Sequence, residues 1–238
     1  MGTRMKSDLP KVLHPVANRP MISHLLSALG AISPARTVVV VAPGMTQVAE
    51  TVAPADTAVQ TEALGTGHAV LAARDAMAGF EGDVLVLFGD TPLLTATTLK
   101  RLRSTLAKRA DLVVLGFRSS DPTGYGRLLV ENGRLSAIRE EKDADHNERL
   151  VDFCNAGVMG FRASLAPLLR KIGNDNAKGE YYLTDLVALA NGAGKRVIAL
   201  EGDETEFLGV NSRLELAAAE RVFQERARRA AMESGVTL

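Results

Sequence analysis

Two hydrophobic rhythms alternate along the first half of the chain. Residues 36–42 (Arg-Thr-Val-Val-Val-Val-Ala) form a continuous β-branched run, which predicts a strand buried on both faces of a parallel sheet. Similar apolar runs predict strands over 83–88 and 112–117, with a shorter one over 57–60. Between them, apolar positions recur at helical spacing over 21–31, 45–52, 66–78 and 96–108. Strand and helix in regular alternation predict βαβ units with right-handed crossovers, hence an α/β three-layer αβα sandwich whose sheet is mixed but mainly parallel.

Beyond Phe117 the rhythm changes. Gly126-Arg127-Leu128-Leu129-Val130 and Leu135-Ser136-Ala137-Ile138 flank Glu131-Asn132-Gly133-Arg134, and Asn-Gly between two alternating runs predicts a β-hairpin. With a strand over 152–160 it should pair into a section that walls a ligand cleft. Helices are expected over 164–171 and 182–191, a strand over 196–200, and a long helix over 212–233. Leu214, Leu216, Val222 and Phe223 give that helix a partial apolar face, and Arg226, Arg228 and Arg229 read as a solvated one.

Composition narrows the partners. Of 238 residues, 28 are basic and 28 acidic, leaving no net charge, so nucleic acid and membrane surfaces have no bulk electrostatic support as partners. A small ligand is expected. Cys154 is the only cysteine, which excludes an intrachain disulfide and suits a reducing compartment. Neither a signal peptide nor an apolar run near 18 residues is present in the sequence, and the expected location is the cytoplasm.

The opening stretch, Met1-Gly2-Thr3-Arg4-Met5-Lys6-Ser7-Asp8-Leu9-Pro10-Lys11, carries two cations, Arg4 and Lys11, in a segment too rich in Gly, Ser, Asp and Pro for regular structure. Such a loop suits a polyanion: Gly lets backbone approach phosphate, Arg forks onto two oxygens and Lys adds a mobile charge. It also reads as a basic terminus without fixed structure. In open α/β sheets ligands bind beyond the carboxyl ends of the strands, where Gly89-Asp90-Thr91-Pro92 follows the strand ending at Phe88. An Asp there can hold a divalent cation against phosphate or cap a turn. Asn211, in Gly209-Val210-Asn211-Ser212, reads as the cap of the last helix. His68 and Cys154 have no second His or Cys at metal or triad spacing and read as structural.

The stretch Gly2-Thr3-Arg4-Met5-Lys6-Ser7, with Pro10-Lys11 behind it, resembles the signature loop of the sugar-1-phosphate nucleotidyltransferases. The match is nearest to the N-terminal uridyltransferase half of the bifunctional N-acetylglucosamine-1-phosphate uridyltransferase/glucosamine-1-phosphate acetyltransferase family. Gln60-Thr61-Glu62-Ala63-Leu64-Gly65-Thr66-Gly67-His68 is similar to that family's Gln-x-x-x-Leu-Gly-Thr-Gly-His, and Phe88-Gly89-Asp90 to its Tyr-Gly-Asp, with Phe88 in place of the usual Tyr.

The resemblance implies the following roles. Arg4 and Lys11 hold phosphates as the catalytic cations; Gly2, Gln60, Gly65, Thr66, Phe88 and Gly89 bind the nucleotide; Asp90 and Asn211 hold Mg²⁺. Gly126, Glu140, Asn155 and Thr184 contact an N-acetylhexosamine, and Lys142 reaches either solvent or the sugar phosphate. One domain over 1–238 follows, divided into a nucleotide part (1–117), a sugar part (118–210) and a C-terminal helix (211–238). The implied reaction makes UDP-N-acetylglucosamine and pyrophosphate from UTP and N-acetylglucosamine 1-phosphate, for cell-envelope precursors of the peptidoglycan and lipopolysaccharide kind.

Two departures qualify the resemblance. No Leu-Ala-Ala-Gly strand precedes Gly2, and no hexapeptide-repeat β-helix follows Leu238. The expectation is therefore a monomer without acetyltransferase activity, with weakened or absent turnover. A related guanylyl- or cytidylyltransferase and a nucleotide-sugar-binding remnant stand as alternatives. A dinucleotide oxidoreductase is disfavoured, because no Gly-x-Gly-x-x-Gly follows a strand.

Overall fold

The computed structural model of the chain describes residues 4–238. A short hairpin opens it, β1 (Pro15–Val16) on β2 (Arg19–Pro20), with Ala17 and Asn18 in the left-handed region at its turn. Then follow α1 (Met21–Gly30), β3 (Val38–Val41), α2 (Thr46–Val52), β4 (Asp56–Val59), α3 (Thr66–Ala72), β5 (Asp83–Val86), α4 (Ala96–Arg109) and β6 (Leu112–Arg118). The second half runs β7 (Arg127–Glu131), β8 (Arg134–Arg139), α5 (His146–Arg149), β9 (Phe153–Arg162), α6 (Ala166–Leu169), α7 (Leu186–Gly192), β10 (Val197–Glu201) and α8 (Arg213–Glu233). Single 3-10 turns precede β1, β5, α6, α7 and α8.

The main sheet has the order β10-β6-β9-β7-β8, with β5 also paired to β9. β10 runs parallel to β6, while β9 is antiparallel to β6, β5 and β7. β6 is the most buried strand: Leu112 to Phe117 are all covered, as their apolar run predicts. Helices pack on both faces. One core layer joins α1, α2 and α4 to β6 and β9; the other joins α6 and α7 to the opposite face of the same strands. The α/β architecture with a mixed sheet expected of the sequence is the one found, but among the described residues the main sheet is mostly antiparallel, β10–β6 being its parallel pairing, because β9 runs against each of its neighbours.

Three elements differ from expectation. The four valines of β3 are only half-buried, because among the described residues β3 pairs with β4 alone and β5 with β9 alone, so no ladder joins the two. β5 ends at Val86 and releases Leu87, Phe88 and Gly89 as loop, short of the predicted boundary. Arg226 does not belong to a purely solvated face: it donates to the Leu93 carbonyl and the Thr205 hydroxyl, both at 2.8 Å, and ties α8 to the body.

β9 is shared between several partners. One edge of β9 pairs with β6 along its length, but the other is shared, β5 taking Met159 to Arg162 and β7 touching only at Cys154. Between Val114 and Gly116 the β6 register slips: these two positions face Met159 and Asn155, so β9 bulges at Ala156 to Val158. Gly157 lies there at φ 70°, and a Cβ on it would fall 2.6 Å from the Phe88 ring. The end of β5, the start of β7 and this bulge therefore lie together along β9.

Candidate active site

Three polar side chains meet where the first loop crosses the end of β5. The Lys11 ammonium donates to Asp90 Oδ2 at 2.5 Å and to Asn211 Oδ1 at 3.0 Å. Lys11 is held by the 3-10 turn Lys11–Leu13, and Asp90 follows the loop that β5 releases. The Asp90 carbonyl accepts from Val210 N–H at 2.9 Å, so the backbone that carries one oxygen donor fixes the neighbour of the other. Asn211 is not the helix cap. Ser212 caps α8 by accepting from Glu215 N–H, and the Glu215 carboxylate accepts from Asn211 N–H at 2.7 Å. This leaves the Asn211 side chain free to face Lys11. Arg213 Nε donates to the Met5 carbonyl at 3.0 Å, pinning the first loop to the same helix.

A carboxylate and an amide oxygen thus converge on one positive charge, with the ammonium standing in for a cation. Hard oxygen donors in that number suit a divalent ion that completes its shell from substrate and water. Among the described residues there is no closed cluster of three or more His, Cys, Asp or Glu that would suit a structural metal.

The second constellation surrounds Gln60, just past β4. Its amide nitrogen donates to the Gly65 carbonyl at 3.1 Å and lies 3.0 Å from His68 Nδ1. Gly65 has φ 112°, and a Cβ there would meet the Tyr181 carbonyl at 2.6 Å, so only glycine fits. Gly67 N–H donates to that carbonyl, Tyr181 N–H to the Leu64 carbonyl, and Leu183 N–H to Thr66 Oγ1. The Thr66 hydroxyl oxygen therefore serves the fold. Residues 64–67 are laced to 181–183, one residue short of Thr184.

The third constellation joins Gly126, Glu140, Asn155 and Thr184. Thr184 donates to Glu140 Oε1 at 3.2 Å; Asn155 N–H donates to the Gly126 carbonyl at 2.8 Å; a Cβ on Gly126 would stand 3.4 Å from Glu140 Oε1. Burial raises the Glu140 pKa above its ordinary 4.5, opposed by the Thr184 hydrogen bond and by Lys178. Beneath this set runs Arg127, 1% exposed, bonded to the Tyr125 and Arg149 carbonyls and 2.6 Å from Glu141.

The sequence-predicted residues thus gather into three groups: Lys11, Asp90 and Asn211; Gln60, Gly65 and Thr66; Gly126, Glu140, Asn155 and Thr184. Phe88 is 36% exposed and lies against the bulge at Gly157, with Gly89 beside Val12 and Ile22. Arg4 is exposed on the first turn, and no contact joins it to these groups among the described residues. Gly2 lies outside the described residues. Lys142 is exposed. Sequence reasoning missed Arg127, whose signal was a lone Arg after Gly126, and the contact of His68 with Gln60.

Residues 1–180 match the model of the MobA-like NTP transferase domain. The chain belongs to that family. It is similar over its whole length to proteins named bifunctional protein GlmU, 57% identical in Rhodospirillum rubrum, 54% in Paramagnetospirillum magneticum and 55% in Azorhizobium caulinodans. Each alignment covers 54% of the relative, so the chain spans about half the length of the curated relatives it matches. The α/β nucleotide-sugar transferase fold expected from the resemblance is therefore the fold of this chain. Nucleotidyltransferases of this kind take small-molecule substrates and generally use a divalent metal. Among the described residues no helix is long and apolar enough to cross a membrane.

Proposed function

We propose that the chain makes UDP-N-acetylglucosamine and pyrophosphate from UTP and N-acetylglucosamine 1-phosphate. The observation that carries this reading is the convergence of Asp90 and Asn211 on the Lys11 ammonium, in a chain of the NTP transferase family. Asp90 and Asn211 would hold Mg²⁺, which supplies charge stabilisation to phosphoryl oxygens when bound. Lys11, with Arg4, neutralises charge on the triphosphate and the leaving pyrophosphate. Gln60, Gly65 and Thr66 receive the uracil, with Gly2, Phe88 and Gly89 along the nucleotide. Gly126, Glu140, Asn155 and Thr184 receive the sugar, the Glu140 carboxylate accepting from ring hydroxyls and the Asn155 amide pairing with the acetamido group.

The sugar phosphate oxygen attacks the α-phosphorus in line and pyrophosphate departs. That chemistry rests on positioning and electrostatics, so no covalent nucleophile is assigned. The contacts between 64–67 and 181–183 support a shared wall that fixes base and sugar relative to one another. In this reading 1–117 form the nucleotide part, 118–210 the sugar part and 211–238 the closing helix, acting as a monomer in the cytoplasm on precursors of the cell envelope.

The test is product identification: the chain with UTP, N-acetylglucosamine 1-phosphate and Mg²⁺, analysed by anion exchange and mass. UDP-N-acetylglucosamine and pyrophosphate in equal amounts are expected. A folded chain that yields neither product, or that makes a nucleotide sugar faster from another triphosphate, overturns the assignment.

A further inference from the structure

We propose that His68 is a positioning residue that makes Gln60 read the nucleobase as an acceptor only, and so selects uracil against cytosine. The inference rests on the uridylyl-transfer reading for the place of the base.

The orientation of the Gln60 amide follows from its neighbours. The Gly65 carbonyl can only accept, so the side-chain atom 3.1 Å from it must be the NH₂ group. The same nitrogen lies 3.0 Å from His68 Nδ1. With both N–H bonds directed inward, Nδ1 must be the acceptor, which sets the His68 tautomer with its proton on Nε2. His68 lies in the first turn of α3, half-buried, with the Tyr181 ring 6.4 Å away between centroids. Tyr181 is itself fixed by its backbone bonds to Leu64 and Gly67.

What remains of Gln60 is Oε1. It takes no hydrogen bond from the described residues, which leaves it available to a ligand. Uracil presents N3–H, a donor, and matches it. Cytosine presents an unprotonated N3 and would set acceptor against acceptor, leaving two polar atoms unpaired. A glutamine alone offers both a donor and an acceptor and would take either base by turning its amide. The Gly65 carbonyl and His68 Nδ1 together remove that freedom.

The experiment measures equilibrium binding of UTP and CTP, independently of turnover, for the unaltered chain, His68→Leu and His68→Asn. The unaltered chain should prefer UTP. His68→Leu removes the acceptor, and the UTP-to-CTP preference should fall by about tenfold, the size of one hydrogen bond's contribution. Asn Oδ1 can accept near the place of Nδ1, so His68→Asn should keep most of the preference. As a check free of any folding defect, UTP methylated at N3 should bind the unaltered chain at least about tenfold more weakly than UTP. Equal binding of UTP and CTP by the unaltered chain, an undiminished preference in His68→Leu, or indifference to N3 methylation overturns the inference. A chain that prefers UTP but releases no pyrophosphate overturns the transferase reading alone.

Discussion

Glu141→Gln should destabilise the chain far more than its surface position suggests. Arg127, 1% exposed, begins β7 directly after Gly126. Its guanidinium has three partners: the Tyr125 carbonyl, the Arg149 carbonyl at 3.4 Å and the Glu141 carboxylate at 2.6 Å, while Nε is buried without an acceptor. Of these only Glu141 carries charge. Removing it leaves a cation sealed from water against two neutral carbonyls, and breaking a buried pair from one side costs about 3–5 kcal/mol. The Glu141 side chain is 31% exposed and partly hydrated, which moves the expectation to the lower end, about 3 kcal/mol. In a domain of this length that lowers the melting temperature by about 6–12 °C. Arg127→Met removes the buried charge and leaves a carboxylate whose Oε2 is buried but whose side chain is 31% exposed overall, so it should cost less than Glu141→Gln despite being the larger change. The control is Asp152→Asn, which breaks the Arg118 pair at 2.5 Å where both side chains are more than half exposed; it should cost at most about 1 kcal/mol. Urea unfolding of the three variants decides. A Glu141→Gln cost no greater than that of Asp152→Asn refutes the reasoning.

Three further outcomes follow. Because burial raises the folded pKa of Glu140 above 4.5, its stability contribution is complete below the unfolded value and is lost as pH rises through the folded one; Glu140→Gln should therefore be more stable than the parent at neutral pH, with the gap closing on acidification, measured by urea unfolding across pH, while binding of the sugar phosphate falls. Lys11→Met should abolish turnover yet tighten Mn²⁺ binding by up to about fivefold, since a partly exposed ammonium–carboxylate pair is worth about 1 kcal/mol or less; calorimetry reads the affinity, and weakened binding would contradict it. Gly116→Ala places a Cβ against Leu128 and 2.9 Å from the Cys154 carbonyl, and overpacking there should cost about 1–3 kcal/mol by denaturant titration.

The elements legible in the sequence were those whose pattern is local. The valine- and leucine-rich run of β6 is buried throughout, and Asn132 and Gly133 both occupy the left-handed region that their turn demands. The run at β3 misled because burial on both faces depends on neighbours to either side, and among the described residues β3 has a ladder partner on one side only. The site was legible as pieces. Lys11, Asp90 and Asn211 are far apart in sequence, and only the resemblance placed them together; the helix-cap reading of Asn211 gave way because Ser212, one residue on, makes the cap. Arg127 and His68 stayed hidden for a related reason. The role of a buried cation or a ring nitrogen is set by the partner it meets, and neither Glu141 nor Gln60 stands at a spacing that announces the contact.

The central claim is that Asp90, with Asn211, holds the cation on which transfer depends. Its most direct test is the rate of pyrophosphate release from UTP and N-acetylglucosamine 1-phosphate at saturating Mg²⁺, comparing the chain with Asp90→Ala. The backbone carbonyl that holds Val210 survives the substitution, so the variant should fold and lose at least about a hundredfold in rate, as removal of an electrostatic stabiliser does. Turnover that Asp90→Ala leaves intact would contradict the account.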